Sequence, residues 1–522
     1  MKVTSSLAQL RDNRPAVRLS GESRLKPMRA AAMLALMLAG GGSVSAAHAQ
    51  SADTTPPAAN GGASAGAATD ATPAQRAAPA TATATPVDQV PAPAGLWNRS
   101  NLFGDMAGLR PLLSDHGIAL GLQETSEFYG NFSGGVNKGV AYDGATLFGL
   151  GVDTEKAFGL KGGQFNVSAL QIHGHGITAA NLATAQTISG VEASATTRLW
   201  ELWYQQSFFD DKFDLKVGQQ SLDQEFIVTQ YGGTFINATF GWPVLPSADL
   251  PAGGPAYPLS SLGVRLRAKP SDAVTVLGGV FDGNPAPGIG DPQKLNASGT
   301  NFNLNNGALL IGEVQYAFNQ PAPVGQPQPA GMPGTYKLGF WYNTNRFADQ
   351  HYAQDGTSLA NAPAGAEPAT HRGDFSLYAV ADQMIWRPSA DSPQSVGVFA
   401  RVMGAPSNRN VIDLALQGGV VLKAPFKGRD NDSVGLAVGY ANFSSAASAL
   451  DRDTAATTPG YPVRSAETVI EATYQYQVAP WWQVQADFQY IVRPGGGIPN
   501  PNNNGQRIGN EAVAGLRTVV AF

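Results

Sequence analysis

Charged, amide and indole side chains recur two or four residues apart in several short stretches: Glu201, Trp203 and Gln205; Lys216 and Gln220; Arg265 and Arg267; Glu313 and Gln315; Glu471 and Gln475. Arg401 and Asp487 stand in comparable settings. A two-residue spacing places side chains on one face of a strand, so these groups would share one watery surface. Amides, carboxylates and guanidinium groups bond hydroxyls, and an indole face packs against the C–H face of a sugar ring. The mixture therefore suits a neutral polyol. Without a ligand, the same residues read as charges that pair across a barrel for structure, or as a lining that favours ions in general.

Other chemistries have little to stand on. The chain has no cysteine, which excludes disulfides, thiolate metal sites and cysteine nucleophiles. Of six histidines, His48 falls in the leader described below, and His173 and His175 form HGHG at the end of a strand. With no companion cysteines and scattered carboxylates, HGHG reads as the start of a loop rather than a metal pair. An enzyme would need a nucleophile, a base and an orienting group together near the barrel rim, and no such grouping is evident. The expectation is a protein that is not an enzyme and uses no cofactor and no metal.

The elements that must position the lining follow from patterning. Of 522 residues, 43% are hydrophobic and only 14% charged, yet mean hydropathy is −0.13. That combination fits alternation rather than long apolar runs. Residues 1–49 read as a secretory leader, with a basic stretch, the apolar run Ala30 to Ala39, and Ala47-His48-Ala49 before a cleavage site at Gln50. Ten apolar residues are too few to cross a ~30 Å hydrocarbon core as a helix. The leader holds seven of the 34 basic and two of the 39 acidic residues, so the remainder is acidic, at −10. Such a charge argues against nucleic acid as a partner. Residues 50–95, rich in Ala, Thr and Pro, read as a disordered periplasmic tether. Within 96–117, Asp105 to His116 suggests a short helix stopped by Gly117, with Pro111 limiting its regularity.

From Ile118 onward the period is two. Ile470, Ala472, Tyr474, Tyr476 and Val478 alternate with Glu471, Thr473, Gln475 and Gln477, and Tyr336, Leu338, Phe340 and Tyr342 with Lys337, Gly339, Trp341 and Asn343. Alternation alone would also fit a soluble sandwich. Sixteen strands are expected, at 118–130, 142–154, 164–173, 198–208, 213–220, 262–269, 273–282, 308–318, 335–345, 374–386, 395–403, 412–423, 433–444, 467–478, 481–491 and 509–522. The long insertions 174–197, 221–261, 283–307, 346–373, 445–466 and 492–508 follow odd-numbered strands, whereas short turns such as Pro270-Ser271-Asp272 and Ala479-Pro480 follow even ones. The Pro-rich stretch 319–334 is an exception on the short-turn side. Sorting of loop length by parity is what a transmembrane barrel requires, with short periplasmic turns and long extracellular loops. The fold class is thus all-β, a 16-stranded antiparallel barrel over 118–522 in outer-membrane lipid, wide enough for an aqueous channel. The last strand carries Ala514, Leu516, Thr518, Val520 and Phe522 on one face, a pattern associated with recognition by the barrel-assembly machinery.

Several stretches resemble the carbohydrate-selective, OprB-like porins of Gram-negative outer membranes. They are LWNRSNLFGDMAGLRPLLSDHGIAL (Leu96 to Leu120), VSALQIHGHG (Val167 to Gly176), LWELWYQQSFFDDKFDLKVGQQSLDQEF (Leu199 to Phe226), NATFGWPVLPSADLPAGGPAYPLSSLGVRLRAKPSD (Asn237 to Asp272), GVFDGNPAPG (Gly279 to Gly288), YAVADQMIWR (Tyr378 to Arg387), ARVMGAPSNRN (Ala400 to Asn410) and YQYQVAPWWQVQADFQYIVRPGGGIPNPNN (Tyr474 to Asn503). The resemblance runs from Leu96 to Phe522 and leaves the leader and tether outside. It implies passive uptake of glucose and related sugars, with Glu201, Trp203, Lys216 and Arg265 at a constriction and Gly241 to Pro258 as the chief infolded element. A general or ion-selective diffusion porin is the alternative, which a strong single-sign ring of lumen charge would favour; members of such a family need not share one range of solutes, which leaves the exact solute open.

Overall fold

The computed structural model describes residues 95–322, 326, 328–503 and 506–522. The expected leader and all but the last residue of the expected tether lie outside the described residues. Sixteen strands alternate along the chain: β1 (Ile118–Ser133), β2 (Gly139–Asp153), β3 (Gly163–Gly174), β4 (Thr196–Phe208), β5 (Phe213–Gln220), β6 (Ser261–Ser271), β7 (Val274–Asp282), β8 (Ala308–Phe318), β9 (Gly334–Ala353), β10 (Pro368–Trp386), β11 (Ser395–Gly404), β12 (Ile412–Lys423), β13 (Ser433–Phe443), β14 (Ala466–Ala479), β15 (Trp482–Val492) and β16 (Glu511–Ala521). Each pairs antiparallel with its sequence neighbours, and β1 pairs with β16, from Gln123↔Ala521 to Ser133↔Ala512, to close the barrel. Closure leaves no unpaired edge, which is the condition for strands in a membrane.

The alternation sorts side chains as expected. On β9 the Tyr336, Leu338, Phe340 and Tyr342 side chains are exposed on the outer wall, while Lys337, Trp341 and Asn343 between them are buried inside. Ile470 and Phe488 likewise point outward, with Glu471 and Asp487 inward. The apolar rows therefore meet lipid rather than one another.

Two expectations change. The insertion expected at 346–373 is half strand: β9 and β10 continue as a paired hairpin, with Ala348 opposite Thr370 and Ala353 opposite Pro368, and 354–367 forms the connection. Asn345, Arg346, Asp349 and His351 break the apolar alternation there, yet the backbone ladder does not need it. The short helix is also smaller than expected, at Leu109–Asp115, because Met106, Ala107 and Gly108 all take positive φ. Pro111 is tolerated in its first turn, where an N–H has no helical partner.

The segment before β1 braces the closing seam. Leu102 N–H donates to Ala521 O at 2.8 Å, the Arg110 guanidinium to Phe522 O at 3.0 Å, and Phe103 packs on Phe522 at 5.3 Å between ring centres.

The interior is not an open tube. Residues 221–260, between β5 and β6, fold inward, and Phe226, Ile227, Trp242, Leu245 and Leu250 form a dry cluster with the inward-facing Phe281, Ile311, Trp341, Val380, Met403 and Ile412. Ile177, Leu182 and Ile188, between β3 and β4, enter a second cluster with Phe235, Phe240 and Phe399.

Candidate functional site

The infolded segment 221–260 is built of short 3-10 turns at Leu222–Gln224, Gly232–Thr234, Ala238–Phe240 and Pro251–Gly253 and one short helix, Val244–Asp249. Chain of this kind satisfies few of its own backbone groups, and those groups are costly to bury without partners. The inward faces of the strands supply them. Glu313 on β8 accepts from Ile227 N–H at 2.8 Å, and Asp382 on β10 from Tyr231 N–H at 3.1 Å. Glu471 on β14 takes two donors, Ile236 N–H at 2.6 Å and Asn237 N–H at 2.9 Å. Cations serve the carbonyls. Arg401 on β11 donates to Ile227 O at 2.9 Å, to Gly241 O at 3.0 Å and, more closely, to Thr239 O. Lys337 reaches Val228 O at 2.8 Å, and Gln485 reaches Thr234 O at 2.9 Å.

Where this segment leaves β5, it meets a charged cluster. Arg265 on β6 pairs with Asp214 on β5, with Gln205 Oε1 on β4 at 2.9 Å, and with Glu225 of the infolded segment at 2.6 Å. Arg267 shares Asp214. Lys216 binds Glu225 and stands 4.4 Å above the Trp203 ring, and Glu201 accepts from Ser221 N–H at 3.1 Å. Burial alone would raise the Glu225 carboxyl, but Arg265 and Lys216 beside it hold it down at about 2. Exposure divides the cluster: Arg265 and Asp214 are 1% and 0% exposed, whereas Lys216 and Glu225 retain 10% and 17%. The latter pair, with the half-buried Trp203, is the more open part of the cluster.

A second infolded segment, 175–195, is held by acids. Glu467 on β14 accepts from Thr184, Ala185 N–H and Gln186 N–H at 2.7–2.8 Å. Within the segment Glu192 receives Thr178 N–H and hydroxyl at 3.0 and 2.8 Å. Burial, with Asp143 nearby, pushes the Glu192 carboxyl up to about 8.

All the residues expected to line the lumen do face inward, but they divide into two groups. Glu201, Trp203, Gln205, Lys216, Gln220, Arg265 and Arg267 come together on β4 to β6. Glu313, Arg401, Glu471 and Asp487 are spread around the wall. The first three of these hold the infolded backbone, and Asp487 accepts from Tyr129 at 3.2 Å and Gln489 at 2.8 Å. The infolded element also extends beyond Gly241 to Pro258, since it begins at Ser221 and is joined by 175–195. Asp214, Glu225, Asp382 and Glu467 complete the arrangement. Asp214 shares the period-two face of Lys216 and was legible. Asp382 follows the inward Tyr378 and Val380, whose apolar character masks the face, and Glu225 sits in chain with no period.

Residues 137–522 match the family described as "Carbohydrate-selective porin, OprB family". Porin B of Pseudomonas aeruginosa is 26% identical over 446 residues, which is 81% of this chain and 92% of that protein. The putative porin QuiX of Acinetobacter baylyi is 24% identical over 442 residues, covering 76% of this chain and 90% of that one. The high-pH structure of Pseudomonas putida OprB superposes with a TM-score of 0.70 at 24% identity, over 81% of this chain and 99% of that chain, and shares the fold. A match that runs from the first hairpin through the last strand takes in nearly every element that builds the pore, and on that extent the chain belongs to the OprB family of carbohydrate-selective porins, proteins of the bacterial outer membrane.

Proposed function

We propose that this porin gives passive passage to monosaccharides such as glucose and related polyols, and that Lys216, Trp203 and Glu225, with Gln205 behind them on Arg265, meet the solute where segment 221–260 leaves the wall. The observation that carries the reading is the composition of that patch: an ammonium, a carboxylate and an indole stand together with partial access to solvent. Hydroxyls that shed water there find both donors and acceptors, and the opposed charges leave no strong single-sign ring. Glu201, Gln220, Arg265 and Arg267 position these groups, while Glu313, Arg401 and Glu471 fix the loop and so the bore. The relatives are channels, and passage down a gradient needs no catalytic group. Reading of the outward row Ala514, Leu516, Thr518 and Val520 by the barrel-assembly machinery belongs to the same proposal.

Planar-bilayer conductance with added sugars tests it. Glucose should reduce the ion current reversibly, and Trp203→Ala should weaken that block several-fold with the barrel intact. Liposome swelling with a graded series of mono- and disaccharides should fall off with size. Equal passage of unrelated solutes, with no block by any sugar, would instead establish a general or ion-selective porin.

A further inference from the structure

Two arginines stand side by side on the outer wall. Along β9 the outward row runs Tyr336, Leu338, Phe340, Tyr342, Thr344 and Arg346, while Asn343, Phe347 and Asp349 are buried on the inward face. The ladder sets Arg372 of β10 directly opposite Arg346, and both are exposed. Strict alternation from the outward Phe375 would turn Arg372 inward. The register shifts between Arg372 and Asp374, where Gly373 takes a φ of 75°, and the shift brings Arg372 out. A bulge of this kind re-aims a side chain, and glycine is the residue at ease with the positive φ it needs.

A third guanidinium joins them. Arg409, from the connection between β11 and β12, donates to Gly373 O at 2.7 Å, and the Tyr342 hydroxyl rises against the same glycine. Among the described residues no carboxylate stands within 4.0 Å of any of the three guanidinium groups. The acids of these strands face the other way: Asp349 is held by His371 at 2.7 Å and Asp374 by Asn410 at 2.9 Å. Like charges set directly opposite on a ladder are destabilising, so the arrangement lacks its counter-charge. Height decides what can supply it. Tyr336, stacked on Phe318 at 5.7 Å between ring centres, marks the aromatic girdle at the short-turn end, and the exposed Tyr342 and Phe375 stand opposite each other toward the long loops. Arg346 lies ten residues along β9 from Tyr336, which at about 3.3 Å per residue and a tilt of about 40° is a rise of about 25 Å, the full height of the apolar band. The guanidinium groups therefore stand at the headgroup level of the outer leaflet.

We propose that Arg346, Arg372 and Arg409 bind the phosphate of an outer-leaflet glycolipid. A guanidinium presents two parallel N–H donors to a phosphate, and three of them with the Tyr342 hydroxyl surround a phosphomonoester with donors. Free phosphate would be held there by charge alone. A lipid adds the apolar row beneath, because its acyl chains run down Phe340, Tyr342 and Phe375 while its headgroup sits on the arginines.

Native mass spectrometry of the porin in mild detergent with added diphosphoryl lipid A tests this. The wild type should retain one lipid, and Arg346→Gln with Arg372→Gln should lower that adduct several-fold. The same lipid stripped of its phosphates should be retained no better by the wild type than by the double variant. Arg493→Gln with Arg507→Gln, which removes two exposed guanidinium groups at the far end of the rim between β15 and β16, should keep the adduct. Heat-dependent gel mobility checks that each barrel is folded, and Arg346→Gln alone serves if the double variant is not. Equal adducts in wild type and Arg346→Gln with Arg372→Gln, equal retention of the phosphorylated and stripped lipids, or displacement of the lipid by an equal concentration of inorganic phosphate would each overturn the proposal.

Discussion

Arg401→Met should loosen the infolded segment without opening the barrel. The guanidinium is buried and donates to three loop carbonyls, those of Ile227, Thr239 and Gly241, and to Gln417 Oε1 at 3.0 Å on the neighbouring strand. A buried acceptor left without its donor costs about 1–3 kcal/mol. The three losses are not additive, because one rigid segment shares them. Removing the buried charge returns part of its own desolvation cost. A net loss of about 3 kcal/mol in docking of the segment shifts its docked-to-undocked ratio by about a hundredfold. Methionine fills similar volume, and β11 keeps its ladder to β10 and β12. Single-channel recording should then show larger and noisier conductance with weaker block by sugar, while heat-dependent gel mobility stays that of a folded barrel. A folded variant with unchanged conductance, noise and block would refute the idea that inward charges hold the bore.

Glu225→Gln removes the carboxylate between Lys216 and Arg265, so the reversal potential in a KCl gradient should move toward anion selectivity; no movement would mean that this pair does not reach the permeation path. Glu192 has a raised folded pKa, so its contribution to docking of 175–195 is fully present below its ordinary value and is lost as pH rises through about 8. Protease nicking of that segment should accordingly increase between about pH 5 and about pH 9, and Glu192→Gln should flatten the profile. Leu338→Arg, on the outer face of β9, should destabilise the barrel in vesicles by about 2–4 kcal/mol in denaturant titration if the residue lies near the bilayer midplane.

Much of this architecture is local and was therefore readable. Side chains on a strand repeat every two residues, so Phe213–Gln220, Ala308–Phe318 and Ile412–Lys423 could be bounded from their alternation alone. Connections differ in length because one end of the barrel must turn tightly. Parity likewise assigned Lys216, Arg265, Arg401 and Glu471 to the inside. It could not say what each would meet there. Glu471 and Arg401 bind segment 221–260, which has no period, and its path depends on carboxylates and cations more than a hundred residues away in sequence. Glu124 and His173 fall on the outward face by the same parity, yet they become one cluster only when β1, β2 and β3 are set side by side. Periodicity names the face of a strand, and only the closed barrel decides which groups on that face share it.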